Sequence, residues 1–187
     1  ALGAYLDGAE IGVHGNAQDA TGDTMNEGTI CIHGSSGDAT GYAMRGGTIF
    51  VEKDAGYRCG IHMKEYGDKS PQIVIGGRCG SFLGEYQAGG IILVLGIGCE
   101  DRCPVGNFCG TGMHGGKIFL RTAHLPPDLP AQVCVKQAEA GDKEIIRPLV
   151  EGYCARFGGE AEALLQSEYF LLTPNSQNPY RQMYVHN

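Results

Sequence analysis

Several things that many chains of 187 residues contain are missing here. No apolar run reaches the ~18 residues of a membrane-spanning helix, and the longest, "GGIILVLGIG", is interrupted by glycine at both ends. The opening "ALGAYLDG" has neither a basic n-region nor an apolar h-region, so no signal peptide is expected. It also has no initiator Met; a chain opening on Ala1 is either processed or a fragment. Basic residues are scarce, 14 Lys and Arg against 21 Asp and Glu, giving a net charge of −7 and a pI near 5.3. That balance argues against nucleic acid or an anionic membrane as the main partner. No segment before residue 140 repeats its apolar residues every 3.6 positions. Hydrophobic content of 42% still supports a sizeable core, in one domain or one domain with an appendage. Eight cysteines without secretory features read as reduced thiols, and the expected location is cytoplasmic.

What the chain has in quantity is glycine, 31 residues. "GTGMHGG", Gly110 to Gly116, contains the spelling G-x-G-x-x-G of dinucleotide-binding folds. That motif needs a helix opening on the glycines and an acidic residue ~20 positions on. Here a strand-like "KIFLR" and a proline-rich break follow, and Asp128 lies in the break. A repeat explains the glycines better. The pattern Gly-x-x-Met, then Ile-x-[Ile/Val], reads as Gly3/Leu6/Ile11, Gly22/Met25/Ile30, Gly41/Met44/Ile49, Gly60/Met63/Ile73, Gly80/Leu83/Ile91 and Gly110/Met113/Ile118. The glycines are 19, 19, 19, 20 and 30 apart, with "KEYGDKSPQ" and "LGIGCEDRCPVGN" as insertions. Short β-branched strands at a constant period, separated by glycine corners, imply a chain that coils once per repeat and stacks each rung in parallel on the last. The expected fold is all-β, a single-stranded parallel β-helix of about six rungs over residues 1–124, with residues 125–187 as an appendage. Gly3, Gly22, Gly41, Gly60, Gly80 and Gly110 are its expected corners.

These residues resemble a known family. "GEYQAGGIILVLGI…VGNFCGTGMHGGKIFLR" looks like the GXGXG domain, the C-terminal right-handed β-helix of the large subunit of glutamate synthase. The likeness covers residues 3 to 122, and the "G-x-GM-x-GG" turn after "VGNF" is its most specific part. The domain also occurs as a separate chain of split glutamate synthases and in one of the chains of formylmethanofuran dehydrogenase. The resemblance implies a right-handed coil and a bracing role. It carries no catalytic residues and no cofactor onto this chain. The amidotransferase cysteine, the FMN and the iron–sulfur cluster are expected on a glutamine amidotransferase subunit and an FMN-binding synthase subunit. In keeping with that, Ala1 is not a nucleophilic cysteine, and no loop stands out as a phosphate cradle. The cysteine-bearing insertion at 99 to 109 departs from the family pattern.

Three constellations could carry chemistry. Cys99, Cys103 and Cys109 form C-x3-C-x5-C, thiols at ligand-like spacing without an evident fourth donor. Cys59, Cys79 and Cys109 each precede an assigned corner glycine, so a Cys59–Cys79 bridge between rungs is within reach, with reduced buried thiols as the alternative. His14, His33 and Glu52 share a column, which is either a metal site or a solvated polar ladder. The expected set of metal ligands is none. His62, His114, His124 and His186 have no paired serine or cysteine at triad spacing.

The column after the repeat Ile reads as Cys31, Phe50, Val74, Ile92 and Phe119. It should face away from the coil's interior and is apolar throughout, so it must be covered, either by the chain's own tail or by another polypeptide. In the tail, "DKEIIRPLVEGYCARFGG" puts Ile145, Ile146, Leu149, Val150, Tyr153, Cys154 and Phe157 on one helical face, starting near Ile145 to Arg147 because Pro148 suits a first turn. A short helix in "EAEALLQSE" and a tyrosine-rich extended terminus follow, able to pack on the stripe or plug the open end. The reading that results is a non-catalytic scaffold subunit of a split glutamate synthase-type complex, with a homo-oligomer left open. Its rivals are the formylmethanofuran dehydrogenase scaffold and a metal-dependent β-helix enzyme.

Overall fold

The computed structural model describes residues 1–175. Six strands follow the repeat: β1 (Asp7–Val13), β2 (Glu27–Ile32), β3 (Thr48–Val51), β4 (Gln72–Ile75), β5 (Ala88–Val94) and β6 (Gly115–Arg121). Each pairs in parallel with the next, in chain order. The register runs Ile11, Ile30, Ile49, Ile73, Ile92 and Ile118 in one column. From Ile30 onward that column is fully buried and forms an inner core with Met25, Met44, Met63 and Met113. The return segments stack as well: Ser36 N donates to Asp54 O, Ala55 N to Arg78 O and Cys79 N to Pro104 O. Asp19, Asp38 and Asp54 extend this stacking by accepting from the backbone N–H of Asp38, Tyr57 and Arg78 on the following rung. Most backbone polar groups are therefore satisfied between rungs, not within them.

The corner glycines have a specific steric cause. Gly3, Gly22, Gly41, Gly60 and Gly84 all sit at positive φ, between 66° and 75°. A Cβ on any of them would run into Cδ1 of the isoleucine on the next rung: Ile30, Ile49, Ile73, Ile92 and Ile118 in turn. The gap is 2.6 Å at Gly3, 2.5 Å at Gly60 and 2.7 Å at Gly84, well inside van der Waals contact. Only glycine meets both conditions, and the β-branched column fixes where it must stand.

This register corrects the fifth unit. Gly84, not Gly80, is the corner residue: its N–H donates to Cys59 O as Gly60 N–H does to Thr40 O, and Gly80 has no positive φ. Ile92 consequently lies in the inner column, and Leu93 takes its place in the outward one beside Val74 and Phe119. The methionine column is filled at this rung by Gln87, which is fully buried. Its amide donates to the carbonyls of Gly89, Gly90 and Lys117.

The tail joins the same sheet. β7 (Val133–Gln137), α1 (Ala140–Phe157), α2 (Ala161–Leu165) and β8 (Tyr169–Pro174) complete the described chain. β8 pairs antiparallel with β6 and β7 antiparallel with β8, giving one open, mixed, eight-stranded sheet. The expectation of parallel pairing alone thus fails at the last rung, whose edge β8 occupies. Helix α1 starts at Ala140, earlier than the proline suggested. Glu139 and Asp142 form a capping box there, and Pro148 lies inside the helix. Ile146, Leu149, Val150 and Tyr153 of α1 are buried against Phe50, Val74, Leu93 and Phe119 in a second core. Ile145 stays outside the face, 40% exposed. The tyrosines and His186 beyond residue 175 lie outside the described residues.

Candidate functional site

The outward apolar column is the sequence's own candidate for a partner surface. The structure buries it: Cys31, Phe50, Val74 and Phe119 are at most 6% exposed, and the tail packs on Phe50, Val74 and Phe119. The Arg156 guanidinium lies 4.2 Å from the Phe50 ring centroid, and the Tyr153 hydroxyl donates to Glu52 O at 2.8 Å. The surface is used within the chain.

The metal candidates do not converge. The rings of His14 and His33 stack at 5.0 Å, and His33 meets Phe157 edge-on at 5.0 Å. Cys31 Sγ lies 3.6 Å from His33 Nε2. Cys109 is fully buried in the inner core, Cys99 is 4% exposed with its thiol near Arg102 O, and Cys103 is half-buried. Burial pushes the thiols of Cys103 and Cys109 up. Among the described residues no group of three or more His, Cys, Asp or Glu side chains is arranged to hold a metal ion. Cys79 stacks with Ala55 and Val105, whereas the rung neighbours of Cys59 are Thr40 and Leu83. All eight cysteines are free. A hydrogen bond to Cys59, and then burial, hold the Cys79 thiol well above its usual range.

The glycine-rich turn offers no phosphate cradle. The N–H groups of Gly110, Thr111, Met113, His114 and Gly115 donate to Leu83, Phe108, Gly110, Gln87 and Gln87 carbonyls respectively. A cleft of about 400 Å³ is lined by Asp54, Arg78, Cys79, Arg102 and Cys103 among others. Arg78 there reaches Asp54 at 3.9 Å, which partly neutralises it.

Among the described residues, the feature left without a cover is the glycine corner itself. Among the described residues eleven non-glycine positions have positive φ, and all but Asp128 lie two residues before or after a corner glycine. Such a backbone costs an L-residue roughly 1–2 kcal/mol. In the first rungs these positions hold Tyr5 and then small residues, Ala20, Thr24, Ala39 and Ala43. In the later rungs they hold Arg58, His62, Phe82, Tyr86 and Phe108.

These corners carry two rows of aromatic rings. Tyr57 meets Phe82 at 5.4 Å and Phe82 meets Phe108 at 5.2 Å. Alongside, Tyr42 meets His62 at 6.0 Å, and His62 stacks on Tyr86 at 5.2 Å. The Arg58 guanidinium covers both Tyr57 and Phe82, 5.0 and 5.4 Å from their centroids. It is held there by Glu85 at 3.3 Å, a carboxylate only 8% exposed. Tyr42, Tyr57, Tyr86 and Phe108 remain 39–46% exposed. Tyrosine, phenylalanine and arginine in one exposed row are the composition of a protein interface core. Placing the fifth corner at Gly80 hides this row; counting from Gly84 brings Phe82 and Tyr86 into the same columns as Arg58 and His62.

The sequence is 47% identical over 190 residues to an uncharacterized protein of Methanocaldococcus jannaschii, a match covering 98% of this chain and 73% of that protein. A family model described as the GXGXG motif matches residues 1–173, from the first corner through the antiparallel cap. No described helix is long and apolar enough to cross a membrane. With the corner glycines, their isoleucine partners and the tail strand all inside the matched span, the chain belongs to the GXGXG motif family.

Proposed function

We propose that this chain is a non-catalytic scaffold of a split glutamate synthase-type complex, coiled as a right-handed parallel β-helix. Its role is to hold a glutamine amidotransferase chain against an FMN-binding synthase chain. Membership of the GXGXG family supports a glutamate synthase-related role, and the observation that carries the scaffold reading is the exposed aromatic corner. The flavin, the iron–sulfur cluster and the chemistry belong to the partners, in the cytoplasm. Ammonia released at one active site must reach the other before solvent takes it, so the two chains need a fixed separation. A stack tied rung to rung along its whole length resists bending and suits that demand.

The test is reconstitution of the complex from the three chains. Binding of the partners and glutamine-dependent glutamate formation are read for the wild-type chain and for Phe108→Ala with Tyr86→Ala. Truncating two central aromatics of an interface should weaken partner binding by about 2–4 kcal/mol, roughly 30- to 1,000-fold. Glutamine-dependent turnover should fall while ammonia-dependent turnover of the synthase chain persists. Unchanged partner affinity in the double variant would remove the corner from the interface.

A further inference from the structure

The two ends of the stack are finished differently. At the C-terminal end β8 occupies the edge of β6, and Leu172 and Val133 close the inner core. At the other end β1 pairs only with β2 among the described residues, and its second edge has no strand against it. Val13 O accepts from His33 N, so in a parallel ladder Val13 and Ile11 face β2 while Glu10 and Gly12 direct their N–H and C=O groups outward. The first rung is also less buried than its successors. Leu6, Ile11, Val13 and Ala17 are half-buried, whereas Met25, Ile30, Ile32 and Ser36 above them are closed off.

Charge is as lopsided as burial. Residues 1 to 44 hold six carboxylates (Asp7, Glu10, Asp19, Asp23, Glu27 and Asp38) and no Lys or Arg. The remaining residues carry 15 acidic and 14 basic side chains, so nearly all of the net −7 belongs to this end. One cation approaches from elsewhere: Lys69 Nζ stands 3.2 Å from Glu27 and 3.7 Å from Asp7. Glu10 lies beyond that pairing and is exposed.

We propose that the free edge of β1 is a docking site for one extended strand of a partner protein, apolar on the side facing the core and carrying Lys or Arg on the other. The strand extends the sheet by one rung, completes the backbone pairing of Glu10 and Gly12, and covers Leu6, Ile11 and Val13. The acidic end selects a basic strand and disfavours a second copy of this chain, whose own β1 would bring Glu10 and Asp7 against the same carboxylates. The inference does not rest on the scaffold reading or on the aromatic corner, which lies on other residues.

The probe is a seven-residue peptide alternating valine and lysine, compared with one alternating valine and glutamate, each titrated into the full chain. The lysine peptide should bind at least about tenfold more tightly, lose affinity as salt rises, and slow amide exchange at Glu10 and Gly12. Glu10→Pro removes an edge donor that pairs with nothing among the described residues; it should abolish peptide binding and leave the melting temperature unchanged. Asp7→Lys with Glu10→Lys should reverse the preference toward the glutamate peptide. Equal binding of both peptides, or protection appearing elsewhere, overturns the proposal. Slow exchange at Glu10 and Gly12 without any peptide also overturns it: at all concentrations the chain covers its own edge, and only at high concentration a second copy does.

Discussion

Replacing Gly60 by alanine puts a number on the relation between corners and strands. Gly60 has φ +71°, and a Cβ there would lie 2.5 Å from Ile92 Cδ1, 3.4 Å from its Cγ1 and 3.7 Å from Ile73 Cδ1. The left-handed backbone costs alanine about 1–2 kcal/mol. Forcing a methyl into a filled core adds about 1–3 kcal/mol. The smaller entropy of the unfolded alanine chain returns about 0.4–1 kcal/mol. Gly60→Ala should therefore destabilise by about 2–4 kcal/mol, read from urea unfolding followed by circular dichroism. Gly67 is the control, with φ +63° and nothing within 4 Å of its Cβ position. Gly67→Ala should show strain alone, about 1 kcal/mol or less after the entropy offset. Ile92→Val deletes the offending Cδ1 and should cost about 0.5–1.5 kcal/mol by itself. Combined with Gly60→Ala it should be less damaging than the sum of the two by at least about 1 kcal/mol. Simple additivity, or a Gly67→Ala as harmful as Gly60→Ala, would mean that the glycine is there for its backbone freedom and the next rung's isoleucine is irrelevant.

Other expectations are more direct. Burial pushes the Tyr153 phenol from near 10 up to about 12. The folded chain therefore holds this proton more tightly than the unfolded one, so its stabilising contribution is complete below pH 10 and is lost as pH climbs toward 12. Tyr153→Phe should flatten part of that alkaline loss in denaturation curves taken across this range, and should cost about 1 kcal/mol at neutral pH through the lost bond to Glu52 O. Pro148 is exposed within α1, so Pro148→Ala should raise stability by about 1–3 kcal/mol in the same assay. Alkylation of the native chain followed by peptide mass mapping should label the exposed Cys134 first, then Cys103 and Cys154, with Cys59, Cys79 and Cys109 modified only after unfolding.

The rungs are legible in the sequence because two constraints repeat at a fixed distance. Ile30, Ile49 and Ile73 must stack, and Gly22, Gly41 and Gly60 must clear them. The pattern breaks where insertions change the spacing and two substitutions coincide. Gln87 stands where methionine is expected, and Leu83, at the expected methionine spacing from Gly80, stands in the column of Thr21, Thr40 and Cys59. Helix α1 and the apolar outward stripe are both readable, and their union follows from the need to bury each. What cannot be read is the start of α1, set by a capping box of Glu139 and Asp142 and not by the proline. The exposed corner is also hidden, since a positive φ leaves no mark on a tyrosine or phenylalanine in a sequence. Only its column, counted from the right glycine, gives it away.

The unequal ends of the stack bear on how such a chain can change length. At one end β8 occupies the edge of β6 and is itself covered by β7, so no further rung can stack directly on the last one. Within the stack, strands pack chiefly on their immediate neighbours, and units such as 22–40 are interchangeable in register. Duplicating or deleting one such unit should move the two ends apart or together by ~4.8 Å, with the ladder of strands continuous through the change. The protein is in that sense a ruler with graduations, and the spacing of whatever sits along it can be reset one mark at a time.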